Sequence, residues 1–201
     1  MENILVIATF NRHKSEEIRA ILPGLRLELR SLADFPGAGA PEETGATLAE
    51  NALIKAAAAA KFCGHWALAD DTGLEVDALG GAPGIRSARY AGESASFGEN
   101  NVKLLSALAG RTERERTARF VCVAALVSPD GRSEVCRGTL EGAIIGAPRG
   151  SNGFGYDPVF EVAGTGRTLA EFSAAEKNAI SHRVRALRGL IPSLERLGAR
   201  G

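Results

Sequence analysis

ALADDTGLEVDALGGAPGIRSARYAG, residues 67–92, starts as an apolar run and meets two adjacent carboxylates. Ala67, Leu68 and Ala69 read as a buried strand that stops at Asp70 and Asp71. Thr72 and Gly73 follow, and alternation resumes through Leu74, Val76 and Ala78. Neighbouring side chains on a strand point to opposite faces. One aspartate is therefore expected to point into the protein and the other outward. Packing alone gives no reason for two carboxylates here, because burying an unpaired charge is costly. Acidic residues where a strand gives way to a loop suit a divalent cation. Asp, Thr and Gly are also turn residues, so on this stretch alone both readings stand. Gly80-Gly81 and Pro83-Gly84 then form a turn cluster, followed by the cationic pair Arg86 and Arg89.

Working outward, 201 residues suffice for one large domain or two lobes sharing a core. Formal net charge is zero. That argues against a general nucleic-acid or membrane-surface binder, which is basic as a rule. A small anion held by a few local cations remains open. Cys63, Cys122 and Cys136 lack metal-type spacing, and their odd number argues against a disulfide framework. Buried free thiols in a reducing cytoplasm are expected. No apolar run is long enough for a bilayer span. The start, MENILVIATF, carries Glu2 and enters a strand directly, unlike a signal peptide.

Upstream of the acidic stretch, Ile4 to Ala8 reads as a buried strand. It leads into Thr9-Phe10-Asn11-Arg12-His13-Lys14, with Asn11 as helix N-cap. Ile18, Ile21 and Leu22 recur at helical spacing up to Pro23-Gly24. A strand, a polar turn and a helix N-terminus with Lys14 beside it favour an anion site; the alternative is an ordinary capped helix with solvated cations. Leu25 to Leu29 alternates like a half-exposed strand. Glu42-Glu43-Thr44-Gly45 follows a loop, and Thr47 to Glu50 forms a capping box. The helix behind it carries an alanine-rich stripe and ends at Cys63-Gly64. Asn51 and Lys55 share its other face, which faces either solvent or a site.

Downstream, Val102, Leu104, Leu105 and Leu108 support a short helix closing at Gly110. Arg111 to Arg119 reads as an exposed connection. Phe120 to Val127, a turn at Pro129-Asp130-Gly131 and Glu134 to Ile145 make an antiparallel ribbon. Strand-helix alternation followed by this ribbon predicts an α/β fold with a mixed sheet. In GSNGFGYDP, residues 150–158, glycines surround Phe154, Tyr156 and Asp157. Such a loop either stacks an aromatic on a planar ligand or plugs a long turn. Ser173 to Glu176 is a second capping box. Ile180, Val184, Leu187 and Ile191 form the expected buried stripe of the helix behind it. Lys177, His182 and Arg183 fall off that stripe, and a lone histidine there is ordinarily a surface residue.

Six ordered blocks, TFNRHK, EETG, ENALIKA, the 67–92 stretch, GSNGFGYDPVF and AEKNAISHR, together closely resemble the inosine triphosphatase family, also called Ham1-like. The resemblance runs over almost the whole chain. It implies hydrolysis of purine nucleoside triphosphates (ITP, dITP, XTP) to the monophosphate and pyrophosphate, which keeps deaminated bases out of DNA and RNA. It implies a cytoplasmic, Mg2+-dependent homodimer, a single pyrophosphatase domain over residues 1–201, and an elongated mixed β-sheet flanked by helices, with two lobes and a central cleft.

The resemblance also assigns roles. Thr9, Phe10, Asn11, Arg12, His13 and Lys14 match the triphosphate-binding turn. Asp71 corresponds to the general base and a magnesium ligand. Glu42 leads as second carboxylate, with Glu43 and Asp70 as competitors. Thr72 and Lys55 contact phosphate or support the acidic residues. Phe154 stacks on the purine, with Gly155, Tyr156 and Asp157 shaping the pocket. Lys177, His182 and Arg183 match base-recognition residues. Hypoxanthine and xanthine present an acceptor oxygen at C6, where adenine presents a donor; a donor-lined pocket disfavours adenine. Phe10 departs from the family, where many members carry a small residue, and Thr72 replaces a frequent serine. Rival readings are a Maf-like pyrophosphatase, a phosphatase with an aspartyl nucleophile, and a non-enzymatic nucleotide sensor.

Overall fold

The computed structural model describes residues 3–199; the expectation resting on Glu2 lies outside them. In chain order the elements are β1 (Ile4–Ile7), α1 (Arg12–Ile21), β2 (Glu28–Ser31), α2 (Leu48–Cys63), β3 (Trp66–Val76), β4 (Pro83–Gly84) and α3 (Phe97–Ala107). There follow β5 (Thr117–Val127), β6 (Ser133–Ile144), β7 (Phe160–Val162), α4 (Ala174–Ile180) and α5 (His182–Gly198). The strand order is β2-β1-β3-β5-β6-β7, with β4 paired to β3. The sheet is mixed: β1 pairs parallel with β2 and β3, while β3–β4 and β6–β7 are antiparallel. Among the described residues no helix is long and apolar enough to cross a membrane.

Two compact units divide the chain, each with its own core. The first holds the chain up to Asp71, Cys122–Gly138 and the chain from Arg183 on. Its core sets Leu5 and Ile7 of β1 and Leu68 of β3 with Ile18 of α1, Ala124 and Leu126 of β5, and Leu187, Leu190 and Leu194 of α5. β1 is buried throughout and paired on both edges, which suits its unbroken apolar run. Leu25 and Leu27, expected in a strand, instead pack on this core as a connection, and β2 begins at Glu28. The second unit holds Thr72–Val121 and Thr139–His182. Its core gathers Leu74 and Val76 of β3, Leu104 of α3, Phe120 of β5, Leu140 and Ile144 of β6, and Val159, Phe160, Leu169 and Phe172. β3, β5 and β6 supply residues to both clusters.

Several local signals act as read. Asn11 caps α1 by accepting the Lys14 N–H, and Thr47–Glu50 and Ser173–Glu176 are complete capping boxes. Ser128 to Arg132 closes the β5–β6 turn. Three readings need correction. The strand does not stop at the aspartates: β3 runs through Asp70 and Asp71 to Val76, and neither points outward, at 3% and 8% exposure. The helix expected behind Ser173 is broken. Ser181 adopts extended backbone as the C-cap of α4, and α5 restarts at His182. That break rotates the following residues off a single stripe. His182 and Arg183 after the break are buried, as is Lys177 before it, while Ile180 and Ile191 are only half-covered. Finally, the connection after Gly110 is shorter than expected, because β5 already begins at Thr117. All three cysteines are free, but only Cys122 is fully buried.

Candidate active site

The first unit builds a compact set of charges around the acidic pair. Because β3 continues, Asp70 and Asp71 go to different cations. Asp70 Oδ2 lies 3.1 Å from Lys14 Nζ and 3.1 Å from Arg183 Nη2. Cys122 Sγ approaches the same oxygen at 3.8 Å. Arg183 also donates to Glu17 on α1. Burial draws the Arg183 guanidinium down, but Asp70 and Glu17 outweigh it, and the net shift is upward. Removing one partner from such a buried network leaves an uncompensated charge, which is strongly destabilising. Lys14 thereby sits beside the N-terminus of α1, held from behind by Asp70.

Asp71 faces α2. Lys55 Nζ lies 2.7 Å from Asp71 Oδ1 and 3.1 Å from Glu43 Oε1, so two carboxylates converge on one ammonium. Burial is the largest influence on Asp71 and holds its carboxyl above its ordinary range, against the pull of Lys55 and Lys14. Burial works against the Lys55 charge, but Asp71, Asp70 and Glu43 carry the net shift upward. Glu43, not Glu42, is the glutamate brought to Asp71; Glu42 is exposed. Among the described residues no three His, Cys, Asp or Glu side chains form a metal-ligating group. A pair nevertheless fits magnesium, which takes one or two protein carboxylates and keeps several waters. The Asp71 and Glu43 side chains are 11% and 32% exposed, whereas Asp70 is 1% exposed and engaged by two cations. The oxygens of Asp71 and Glu43 are the ones that fit.

The turn before α1 is tied to itself. Thr9 Oγ1 accepts the Asn11 N–H at 3.1 Å, and Asn11 Oδ1 accepts the Lys14 N–H at 3.2 Å. Phe10, Arg12 and His13 are exposed, and Arg12 pairs with Glu16 at 2.8 Å. Three residues of the turn, Thr9, Asn11 and Lys14, are therefore organised by the fold.

The second unit organises the aromatic loop. Asp157 Oδ2 accepts the Phe154 N–H at 2.8 Å and the Lys177 ammonium at 2.6 Å. Lys177 Nζ lies 4.7 Å from the Phe154 ring centre, a cation–π distance. Gly153 has φ +75°, and a side chain there would overlap the Asp157 carboxylate. Tyr156 is the plug: it is buried, and its hydroxyl donates to the Ser87 carbonyl at 2.9 Å. Burial pushes its phenol pKa upward. Phe154 is half-covered, with Phe97 of α3 at a 6.0 Å centroid distance and 40° tilt. His182 is not a surface residue; it stacks on Phe120 at 4.7 Å and 14°. Thr72 follows Asp71 on β3, half-buried.

Each of the expected base-recognition residues has a defined partner. Lys177 joins Phe154 and Asp157, His182 joins Phe120, and Arg183 joins Asp70 and Glu17. Sequence reasoning missed Glu17, Phe97 and Asn101, whose amide donates to the Gly155 carbonyl at 3.0 Å. Asn100-Asn101 inside an apolar helix was the available signal, because buried amides need partners.

Comparison with known proteins finds similar chains over almost the whole length. The profile described as the Ham1 family matches residues 5–193. A protein named dITP/XTP pyrophosphatase from Elusimicrobium minutum (strain Pei191) is 53% identical over 186 residues, 90% of this chain and 94% of the relative. A relative of the same name from Geobacter sulfurreducens is 55% identical over 183 residues, 91% and 92% of the two chains. The solved structure of a HAM1 protein from Coxiella burnetii superposes with a TM-score of 0.88 at 44% identity, covering 98% of this chain and all of that one. The Staphylococcus aureus Ham1 protein gives 0.85 at 42% identity, over 96% and 98%. Sequence blocks, sheet order and whole-chain similarity have one reading in common: this chain belongs to the Ham1 family.

Proposed function

We propose that the protein hydrolyses non-standard purine nucleoside triphosphates, dITP, ITP and XTP, to the monophosphate and pyrophosphate. The observation that carries this reading is the placement of Asp71: a nearly buried carboxylate inside a strand, sharing Lys55 with Glu43 and adjacent to the Lys14-bound Asp70. The names of the relatives, dITP/XTP pyrophosphatase, support the substrate class.

In this reading Thr9, Asn11, Lys14 and the N-terminus of α1 bind the triphosphate, as helix N-termini bind anions. Asp71, held above the ordinary carboxylate range by burial, takes a proton from water as that water attacks the α-phosphorus. The bond from that phosphorus to the bridging oxygen breaks, and pyrophosphate leaves against the Lys14 charge. Lys55 orients Asp71 and Glu43. Glu43 and Asp71 would hold magnesium, which when bound supplies charge neutralisation on the phosphates and Lewis acidity. Phe154 stacks on the purine, and Lys177, which has three donor protons, offers hydrogen bonds while Asp157 holds it in place. A C6 oxygen accepts such bonds, whereas the adenine amino group does not. The reading extends to a cytoplasmic homodimer in which residues 1–201 act as one pyrophosphatase domain.

A substrate panel tests this. dITP, ITP and XTP are expected to turn over at least about a hundredfold faster than dATP, dTTP or UTP, judged by kcat/KM; a pocket that leaves buried polar groups unpaired discriminates on that order or more. Preference for dTTP or UTP would favour the Maf-like reading and overturn this one.

A further inference from the structure

Asn51 stands on α2 one turn before Lys55 and is fully buried. Its Oδ1 accepts the N–H of Gly45, the last residue of the Glu42-Glu43-Thr44-Gly45 loop, at 2.8 Å. The approach is tight. A Cβ on Gly45 would lie 2.6 Å from Asn51 Oδ1 and 2.7 Å from Glu50 Cβ, too close for any side chain. Beside this contact the Glu50 carboxylate accepts the Ala46 N–H at 2.6 Å and the Thr47 N–H at 3.2 Å. The end of the loop is therefore clamped onto α2 by two successive side chains. Two residues before Gly45, Glu43 reaches Lys55 on the same helix.

Asn51 leaves its donor group unused: Nδ2 is buried and has no partner among the described residues. A buried unsatisfied donor disfavours folding relative to a satisfied one. An apolar residue of similar size would avoid that loss, so stability alone gives no reason for an amide here. The contact with Gly45 does. We infer that Asn51 is a positioning residue: it pins Gly45 so that the Glu43 carboxylate stays beside Asp71 at the Lys55 ammonium, setting the spacing of the two carboxylates offered to a divalent cation. This rests on the metal assignment proposed above.

The test uses Mn2+ binding to the full chain without nucleotide, followed by calorimetry or electron paramagnetic resonance. Asn51→Ala and Gly45→Ala attack the contact from its two sides. Each is expected to weaken Mn2+ about tenfold or more, the usual scale for residues that orient metal ligands. The double variant is expected to be no weaker than the worse single one, because both remove one interaction. Urea unfolding of each variant runs in parallel. Loss of stability with parental Mn2+ affinity overturns the inference while leaving the metal assignment intact. Additive losses in the double variant also overturn it. Absence of Mn2+ binding by the parent overturns both. If Asn51→Ala does not fold, Gly45→Ala alone decides, with parental affinity as the contradicting result.

Discussion

Asp71 and Phe154 carry the sharpest residue-scale expectations because each has a defined local environment. Asp71→Asn nearly preserves shape and a hydrogen bond to Lys55 but removes the proton acceptor. General-base catalysis contributes about 10²–10⁴-fold, so kcat on dITP is expected to fall by at least about a hundredfold while nucleotide binding stays measurable by titration. Near-parental kcat would remove Asp71 as the base. Phe154→Ala removes the ring that covers Lys177 Nζ at 4.7 Å. Base–aromatic stacking is worth roughly 1–3 kcal/mol. KM for dITP is therefore expected to rise about tenfold or more, with a smaller change in kcat; an unchanged KM would count against stacking. At this scale residue types were legible and partners were not. Lys14, Lys55 and Asp71 stood out as charges at unusual positions. The link from Arg183 to Asp70 spans 113 residues and that to Glu17 spans 166, beyond any local spacing rule.

Element boundaries follow the same division between local and distant causes. The ends of α1 and α2 were readable because caps act within one turn. The run of β3 through two aspartates was not readable, because the cations that make it tolerable come from α1, α2 and α5. The break between α4 and α5 was hidden for a related reason: residues 173–191 keep helical periodicity across Ser181. The start of α4 offers a pH test. Glu176 completes the capping box with Ser173 and pairs with Arg167 at 3.1 Å. Arg167 first, then the Ser173 amide and hydroxyl, hold its carboxyl down at about 2, against an ordinary 4.5. A depressed carboxylate stabilises the fold above its unfolded pKa, and that contribution is lost as pH falls through the folded value. Glu176→Gln is therefore expected to lower the urea midpoint at pH 6, and the gap to the parent is expected to narrow steadily below about pH 4.5, toward zero near 2. A gap independent of pH would show that the Glu176 charge is not involved.

At the scale of the whole molecule, a formally neutral chain buries several charged side chains within its two units. One unit holds Lys14, Lys55, Asp70, Asp71 and Arg183 with a core of its own; the other holds Phe154, Asp157 and Lys177 with a second core. The mixed α/β class was legible from strand-helix alternation followed by a hairpin. The supply of two clusters from β3, β5 and β6 was not, because no local signal along a strand marks which cluster each residue joins. The central claim is that water attacks the α-phosphorus, with pyrophosphate as leaving group. Turnover of dITP in H2 18O, with separate detection of pyrophosphate and inorganic phosphate, tests it most directly. The account predicts one pyrophosphate per dIMP, with the label in dIMP and none in pyrophosphate. Label in the pyrophosphate, or release of inorganic phosphate with dIDP, would contradict it.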